Sequence, residues 1–110
     1  MGITSIARLG FVKRQRKLEK HFTEPEALQH KVMGRLTSRA AGTKYGCEHS
    51  FSAIKSYEDF RKNIPVNTYE ELKGDIDLMR HGEKDVLWPG KVKWYAKSSG
   101  TTNDKSKSIP

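Results

Sequence analysis

Apolar residues recur at helical spacing through the N-terminal part of the chain. An imperfect stripe comes first: Ile6, Leu9, Val12 and Leu18. This stripe predicts a helix over about 4–21. A second apolar series then advances in steps of four residues: Leu28, Val32, Leu36 and Ala40. The second series predicts a helix over about 24–41, so the chain should open with two consecutive amphipathic helices.

The second helix has a start signal of its own. Thr23 precedes Pro25 and Glu26, a spacing typical of a capping box. In such a box Thr23 caps the helix, and Pro25 occupies the first turn, where its missing N–H is harmless. Gly42 predicts the end of the same helix.

The middle of the chain has fewer periodic positions and more turn-forming residues. Residues 42–56 are rich in glycine and small polar side chains, which predicts a loop with one short helical turn. Ser56 then precedes a short helix over about 57–63, which Pro65 would end.

A second capping box lies further along, at Thr68 and Glu71. It predicts a helix over about 69–81 that ends at Gly82. Apolar and aromatic residues then predict a strand over about 92–97. The local pattern therefore predicts four helices and one strand.

Small polar residues follow the predicted strand directly: Ser98, Ser99, Gly100, Thr101 and Thr102. Gly100 allows a ligand to approach the backbone, the hydroxyls donate hydrogen bonds, and Lys105 and Lys107 supply positive charge. Composition alone also fits a flexible polar tail. The position after a strand favours a phosphate loop. A Walker A loop is excluded, because no second glycine precedes the lysine.

Two upstream segments sharpen this interpretation. Residues 60–72 read FRKNIPVNTYEEL, and residues 82–90 read GEKDVLWPG. In this order, and followed by SSGTT and Lys107, they resemble the N-terminal region of the GH3 auxin-responsive promoter family, its bacterial members in particular. That family is part of the acyl-adenylate-forming superfamily. The resemblance covers nearly the whole chain.

The resemblance implies an α/β fold. The chain would be the N-terminal part of an acyl-adenylate-forming large domain, mainly helical here, with a strand leading into a phosphate loop at 98–107. Residues 1–110 would then be an incomplete segment of a single larger adenylating domain. The family's adenine-binding, acyl-binding and hinge-lysine elements fall later than Pro110. We therefore expect the 110-residue chain alone to be catalytically inactive.

The activity implied is that of an ATP-dependent acyl-acid amido synthetase with Mg²⁺. A carboxylic acid attacks the α-phosphate of ATP, pyrophosphate leaves, and an amine such as an amino acid attacks the acyl adenylate. By motif position, six residues would bind ATP, the last being the motif's lysine: Ser98, Ser99, Gly100, Thr101, Thr102 and Lys107. None is a nucleophile or general base. Relatives commonly carry a second glycine where Asn103 and Asp104 stand here, which leaves the roles of Asp104 and Lys105 open.

The charge balance keeps a different class of function in view. The net charge is +8 and the isoelectric point is near 9.7, with much of the excess between Arg8 and Lys20. A solvated helix face is the favoured interpretation of this cluster. The alternatives to the synthetase are a basic nucleic-acid-binding module, which we do not expect, or a decayed, non-functional fragment.

The remaining composition predicts a cytoplasmic protein. Cys47 is the chain's only cysteine, which fits a reducing compartment. No apolar run is long enough to cross a bilayer, so no membrane partner is expected. The histidines lack metal-ligand spacing, so no metal site is predicted. Trp88 and Trp94 are more typical of a core than of base stacking.

Overall fold

The chain is mainly helical with one small two-stranded sheet, as seen in a computed structural model that describes residues 2–99 and 106–110. The described helices are α1 (Ile3–Thr23), α2 (Pro25–Ala40), α3 (Lys44–Glu48), α4 (Tyr57–Asn63) and α5 (Tyr69–Arg80), with a 3-10 turn at Phe51–Ala53. The strands are β1 (Ala96–Lys97) and β2 (Ser108–Ile109). The chain divides into two compact units, Met1–Met33 and Gly34–Pro110, which are described separately.

The first unit exposes the apolar residues of its long helix. The prediction placed this helix at about 4–21, and α1 spans Ile3–Thr23. Every described side chain of α1 is exposed. Phe11, Leu18 and Phe22 are seven and four residues apart and so lie on one helix face, with Phe22 86% exposed. The apolar face of α1 therefore has no covering element within its own unit.

A single residue, Glu24, separates α1 from α2. The predicted capping role of Thr23 is wrong, because Thr23 is the last residue of α1 and its hydroxyl donates to the Glu19 carbonyl at 3.2 Å. Glu24 leaves the helical region with φ −133° and ψ 53°. A residue before proline is driven out of helical geometry by the proline ring. Pro25 therefore sets the break and opens the second helix.

The second unit contains the hydrophobic core. Its buried apolar side chains come from the end of α2, the segment after the 3-10 turn, α5 and the loop after α5: Ala40, Ile54, Ile76, Met79 and Val86. Ile76 and Met79 are the buried residues of α5. The Lys44 and Tyr45 amides donate to the Asp85 and Val86 carbonyls at 2.8 and 3.0 Å, so backbone hydrogen bonds hold the loop after α5 against the start of α3.

Thr43 joins α2 to α3 and is 1% exposed. Its hydroxyl donates to the Ala40 carbonyl at 2.7 Å and accepts from the Gly46 amide at 3.0 Å. One side chain thus satisfies the end of one helix and the start of the next. The prediction of a loop with one helical turn over 42–56 was incomplete, because this segment forms α3 and the 3-10 turn.

Both α4 and α5 begin with a capping box. Thr68 accepts from the Glu71 amide while the Glu71 carboxylate accepts from the Thr68 amide, which confirms the predicted box. Ser56 and Asp59 form the same arrangement ahead of α4. The structure places α5 at Tyr69–Arg80, where the prediction was about 69–81.

Acid is expected to weaken the capping box of α5. Hydrogen bonds from the Thr68 amide and hydroxyl hold the pKa of Glu71 below its ordinary value of 4.5. A carboxyl group whose pKa is lower in the folded state stabilises the protein at pH values above the ordinary pKa. This stabilisation is lost as the pH falls through the folded-state pKa. Thermal unfolding can be followed by circular dichroism from about pH 7 to about pH 3. The Tm of the wild type should fall more steeply over this range than the Tm of Glu71→Gln. Identical pH profiles would contradict this expectation.

The sheet is shorter than the sequence predicts. A strand was expected over about 92–97, but only Ala96 and Lys97 pair, antiparallel, with Ile109 and Ser108. Residues 92–95 lie outside the strand. A strand needs a hydrogen-bonded neighbour, and β2 is only two residues long in the part of the chain that the structure describes. The prediction was therefore wrong in length, because the apolar pattern carries no information on the partner.

Candidate phosphate-binding site

The two ends of the predicted phosphate loop are joined directly. The Ser98 amide donates to the Lys107 carbonyl at 2.9 Å. In return the Lys107 amide donates to the Ser98 hydroxyl oxygen at 2.9 Å. These reciprocal bonds continue the β1–β2 pairing by one step, so Ser98 and Lys107 lie opposite each other at the end of the sheet.

The structure places three of the six predicted site residues. Ser98 and Lys107 are half-buried at the base of the hairpin, and Ser99 is exposed next to Ser98. The other predicted residues lie outside the described part of the chain, as do the residues whose roles the sequence left open: Gly100, Thr101, Thr102, Asp104 and Lys105. The structure therefore describes the paired ends of the predicted loop.

Tyr69 contacts this base, and sequence reasoning did not assign it a role. The Ser108 amide donates to the Tyr69 hydroxyl oxygen at 3.0 Å. The Lys107 ammonium lies over the Tyr69 ring, with Nζ 5.4 Å from the ring centroid. The contact with Ser108 spans 39 residues, so no local pattern could indicate it. The only signal was the position of Tyr69 inside the segment that carries the family resemblance.

The Lys107 ammonium is the cationic group of the candidate site. Among residues 2–99 and 106–110, none of the ion pairs involves this lysine. An aromatic ring attracts a cation through its quadrupole without neutralising it. The hairpin base thus combines an ammonium group over the Tyr69 ring with the hydroxyls of Ser98 and Ser99, which are the kinds of group that bind anions.

The histidines have structural surroundings. Nδ1 of His21, His49 and His81 lies 2.8, 3.1 and 2.7 Å from the backbone carbonyls of Lys17, Asn63 and Asp77, respectively. No group of three metal-ligating side chains occurs within the described ranges. For three of the four histidines, local backbone contacts thus account for the ring position.

The basic and aromatic residues of the nucleic-acid alternative are partly accessible. The cationic side chains of α1 are exposed: Arg8, Lys13, Arg14, Arg16, Lys17 and Lys20. Trp94 is 87% exposed, so its expected place in the core is wrong. Trp88 is half-buried, and the Arg39 guanidinium lies 5.2 Å from its ring centroid. The cationic side chains of α1 thus form an exposed basic surface on the first unit.

Two further features carry no evident chemistry. A cavity of about 300 Å³ lies at the α1–α2 junction and is lined mainly by apolar atoms, with one imidazole among its residues: His21, Pro25, Leu28, Gln29 and Val32. Cys47 is exposed in α3, with its sulfur 3.5 Å from the Ala41 carbonyl. No helix in the described part of the chain is both long enough and apolar enough to cross a bilayer.

A hairpin base with serine hydroxyls and a lysine is what the sequence predicts for a phosphate loop, and comparison with known proteins assigns the chain to a family. The model of the GH3 family N-terminal domain matches residues 14–110. The chain therefore belongs to the GH3 family, which confirms the resemblance seen in its sequence.

The similar proteins are plant amido synthetases. Indole-3-acetic acid-amido synthetase GH3.4 of Arabidopsis thaliana is 29% identical over 100 residues, which is 90% of this chain and 17% of that protein. The synthetase named GH3.15 from the same plant is 32% identical over 94 residues, covering 84% and 16%. GH3.8 of Oryza sativa subsp. indica is 28% identical over 102 residues, covering 92% and 17%. The chain thus spans about one sixth of the length of these relatives.

Proposed function

We propose that this chain is the N-terminal part of an ATP-dependent acyl-acid amido synthetase and that its loop 98–107 binds the triphosphate of ATP. The observation that carries the proposal is the pairing at the base of the loop. The Ser98 amide donates to the Lys107 carbonyl, and the Lys107 amide donates to the Ser98 hydroxyl oxygen. The family match and the names of the relatives support the same activity.

The chemistry requires a site that tolerates and stabilises accumulating negative charge. A carboxylate oxygen of the acyl acid attacks the α-phosphorus of ATP, and the bond to the bridging oxygen breaks as pyrophosphate leaves. An amine, such as that of an amino acid, then displaces AMP from the acyl adenylate. Donors that are fixed before the reaction stabilise the departing pyrophosphate without reorganising.

The described residues fit a polyphosphate. The Ser98 oxygen accepts from the Lys107 amide, so its own hydroxyl hydrogen remains able to donate to a phosphate oxygen. Ser99 adds an exposed hydroxyl, and Lys107 adds an ammonium group. By motif position, Gly100, Thr101 and Thr102 would complete the cradle. When bound, Mg²⁺ would neutralise phosphate oxygens and be held chiefly by them, since this ion keeps few protein ligands.

The substrates other than ATP are proposed by class. The names of the relatives give indole-3-acetic acid as their acid substrate. For this chain we propose a carboxylic acid and an amine, acting in the cytoplasm of the source cell. Family membership does not transfer the particular acid, because function depends on the site rather than on the fold.

Titration of the ¹⁵N-labelled chain with ATP and Mg²⁺ tests the proposed loop. We expect the largest amide shifts at Ser98, Ser99 and Lys107. Lys107→Ala should weaken binding by about tenfold or more, because it removes a charge-assisted hydrogen bond. The matched control is Lys97→Ala, which removes the same charge from an exposed residue of β1. It should change affinity by no more than about twofold.

The losses of ATP affinity in Lys107→Ala and Lys97→Ala distinguish the candidate functions. Equal losses of affinity in the two variants would show that ATP binds only through general positive charge. That result is expected for the nucleic-acid-binding alternative with its exposed basic helix. Shifts confined to α1 would contradict the loop as the ATP site. A tenfold difference between the variants, with shifts at the hairpin, would support it.

A further inference from the structure

Tyr69 stands on a fixed part of the molecule. It is the first residue of α5, and the residue before it, Thr68, forms both halves of the capping box with Glu71. The same helix contributes Ile76 and Met79 to the core. The backbone that bears Tyr69 is therefore held at its start by hydrogen bonds and further along by burial.

From this position one side chain makes two different contacts with consecutive residues of the returning chain. The hydroxyl oxygen accepts from the Ser108 amide at 3.0 Å, and the ring face lies under the Lys107 ammonium at 5.4 Å. The first contact fixes the backbone of β2, and the second fixes the lysine side chain. Phenylalanine could provide only the ring, and an aliphatic residue could provide neither contact.

We propose that Tyr69 is a positioning residue for the phosphate loop, which holds β2 and keeps the Lys107 ammonium directed for a polyphosphate before the nucleotide arrives. The inference rests on the proposed ATP-binding function of the loop. A free lysine loses considerable rotamer freedom when it binds a ligand, and a side chain that is already held loses less. The ring restrains the ammonium while leaving its charge available to phosphate.

Two substitutions separate the two contacts. Tyr69→Phe keeps the ring and removes the hydroxyl, whereas Tyr69→Leu removes both. The matched control is Tyr57→Leu. Tyr57 is likewise the first residue of a capped helix, α4, and its ring lies 5.9 Å from the Arg61 guanidinium.

Three measurements on the ¹⁵N,¹³C-labelled chain test the proposal. They are hydrogen exchange at the Ser108 amide, the ring-current shift of the Lys107 ε-methylene, and the affinity for inorganic tripolyphosphate. In Tyr69→Phe we expect Ser108 exchange to quicken about fivefold while the Lys107 shift is retained. In Tyr69→Leu we expect the shift to disappear and the tripolyphosphate Kd to rise about threefold. Tyr57→Leu should leave all three measurements unchanged.

The outcomes distinguish failure of this inference from failure of the proposed function. If the wild type binds tripolyphosphate and Tyr69→Leu binds it equally well with an unchanged Lys107 signal, the positioning role is overturned. If the wild type shows no tripolyphosphate binding, the phosphate loop itself is overturned, and this inference with it. If Tyr69→Leu fails to fold, an unchanged Ser108 exchange rate in Tyr69→Phe would still overturn the hydroxyl contact.

Discussion

Replacing Gly46 with alanine is expected to lower the free energy of unfolding by about 3 kcal/mol. A Cβ at this position would lie 1.9 Å from the Ala40 carbonyl oxygen and 3.0 Å from the Thr43 hydroxyl oxygen. Neither atom can move freely, because the Thr43 hydroxyl connects the Ala40 carbonyl to the Gly46 amide. The added methyl group would therefore separate α2 from α3 and break that bridge.

Urea unfolding followed by circular dichroism measures this effect, and Gly74→Ala is the control. Gly74 lies within α5, and no described atom beyond its own helix backbone and chain neighbours falls within 4 Å of an added Cβ. Alanine there should raise the free energy of unfolding by about 0.5 to 1 kcal/mol, because glycine disfavours a helix interior. Opposite signs are expected for the two substitutions. Stabilisation by both would show that the α2–α3 junction is looser than the structure indicates.

ATP–pyrophosphate exchange by the 110-residue chain is expected to remain at background with a panel of carboxylic acids. The exchange reaction needs the acyl acid and the adenosine of ATP to be bound beside the phosphates. The described residues supply the closed base of one loop, and the chain matches about one sixth of the length of the synthetases. Because the described residues include no site proposed for the acid or the nucleoside, we expect the reactants not to be held together and the advantage of proximity to be lost.

Indole-3-acetic acid-amido synthetase GH3.4 of Arabidopsis thaliana, assayed with indole-3-acetic acid, provides the positive control for this experiment. The ATP titration of the labelled chain provides the second control, because loop shifts there would show that a silent chain is folded at the site. Exchange above the enzyme-free rate would overturn the expectation and would mean that residues 1–110 contain a complete adenylation site.

The elements that the sequence predicts well are those specified by near neighbours. Thr68 and Glu71 are three residues apart, so the sequence shows both partners of the cap and the structure confirms it. The same reasoning failed at Thr23, because its hydroxyl has a competing acceptor one helical turn back, at Glu19. Serine and threonine often bond to nearby backbone in this way. A local pattern thus identifies a possible cap without deciding which acceptor or donor the side chain takes.

Contacts between residues distant in the sequence explain the features that the sequence did not predict. The strand predicted over 92–97 is limited by β2, which lies a loop away in the chain. The motif indicated Ser98 and Lys107 as site residues, but it did not show that they bond to each other across nine residues or that Ser108 bonds to Tyr69 across 39 residues. α3 was predicted only as an unplaced helical turn within 42–56, because its five residues are too few to show a helical period.

The exposed thiol of Cys47 makes the chain convenient for single-site labelling. A maleimide dye would attach at this one position without prior removal of other cysteines, since the sequence contains none. The dye would lie next to Gly46, at the junction where Thr43 connects two helices. Its fluorescence would therefore follow the opening of that junction separately from the helical signal of the whole chain.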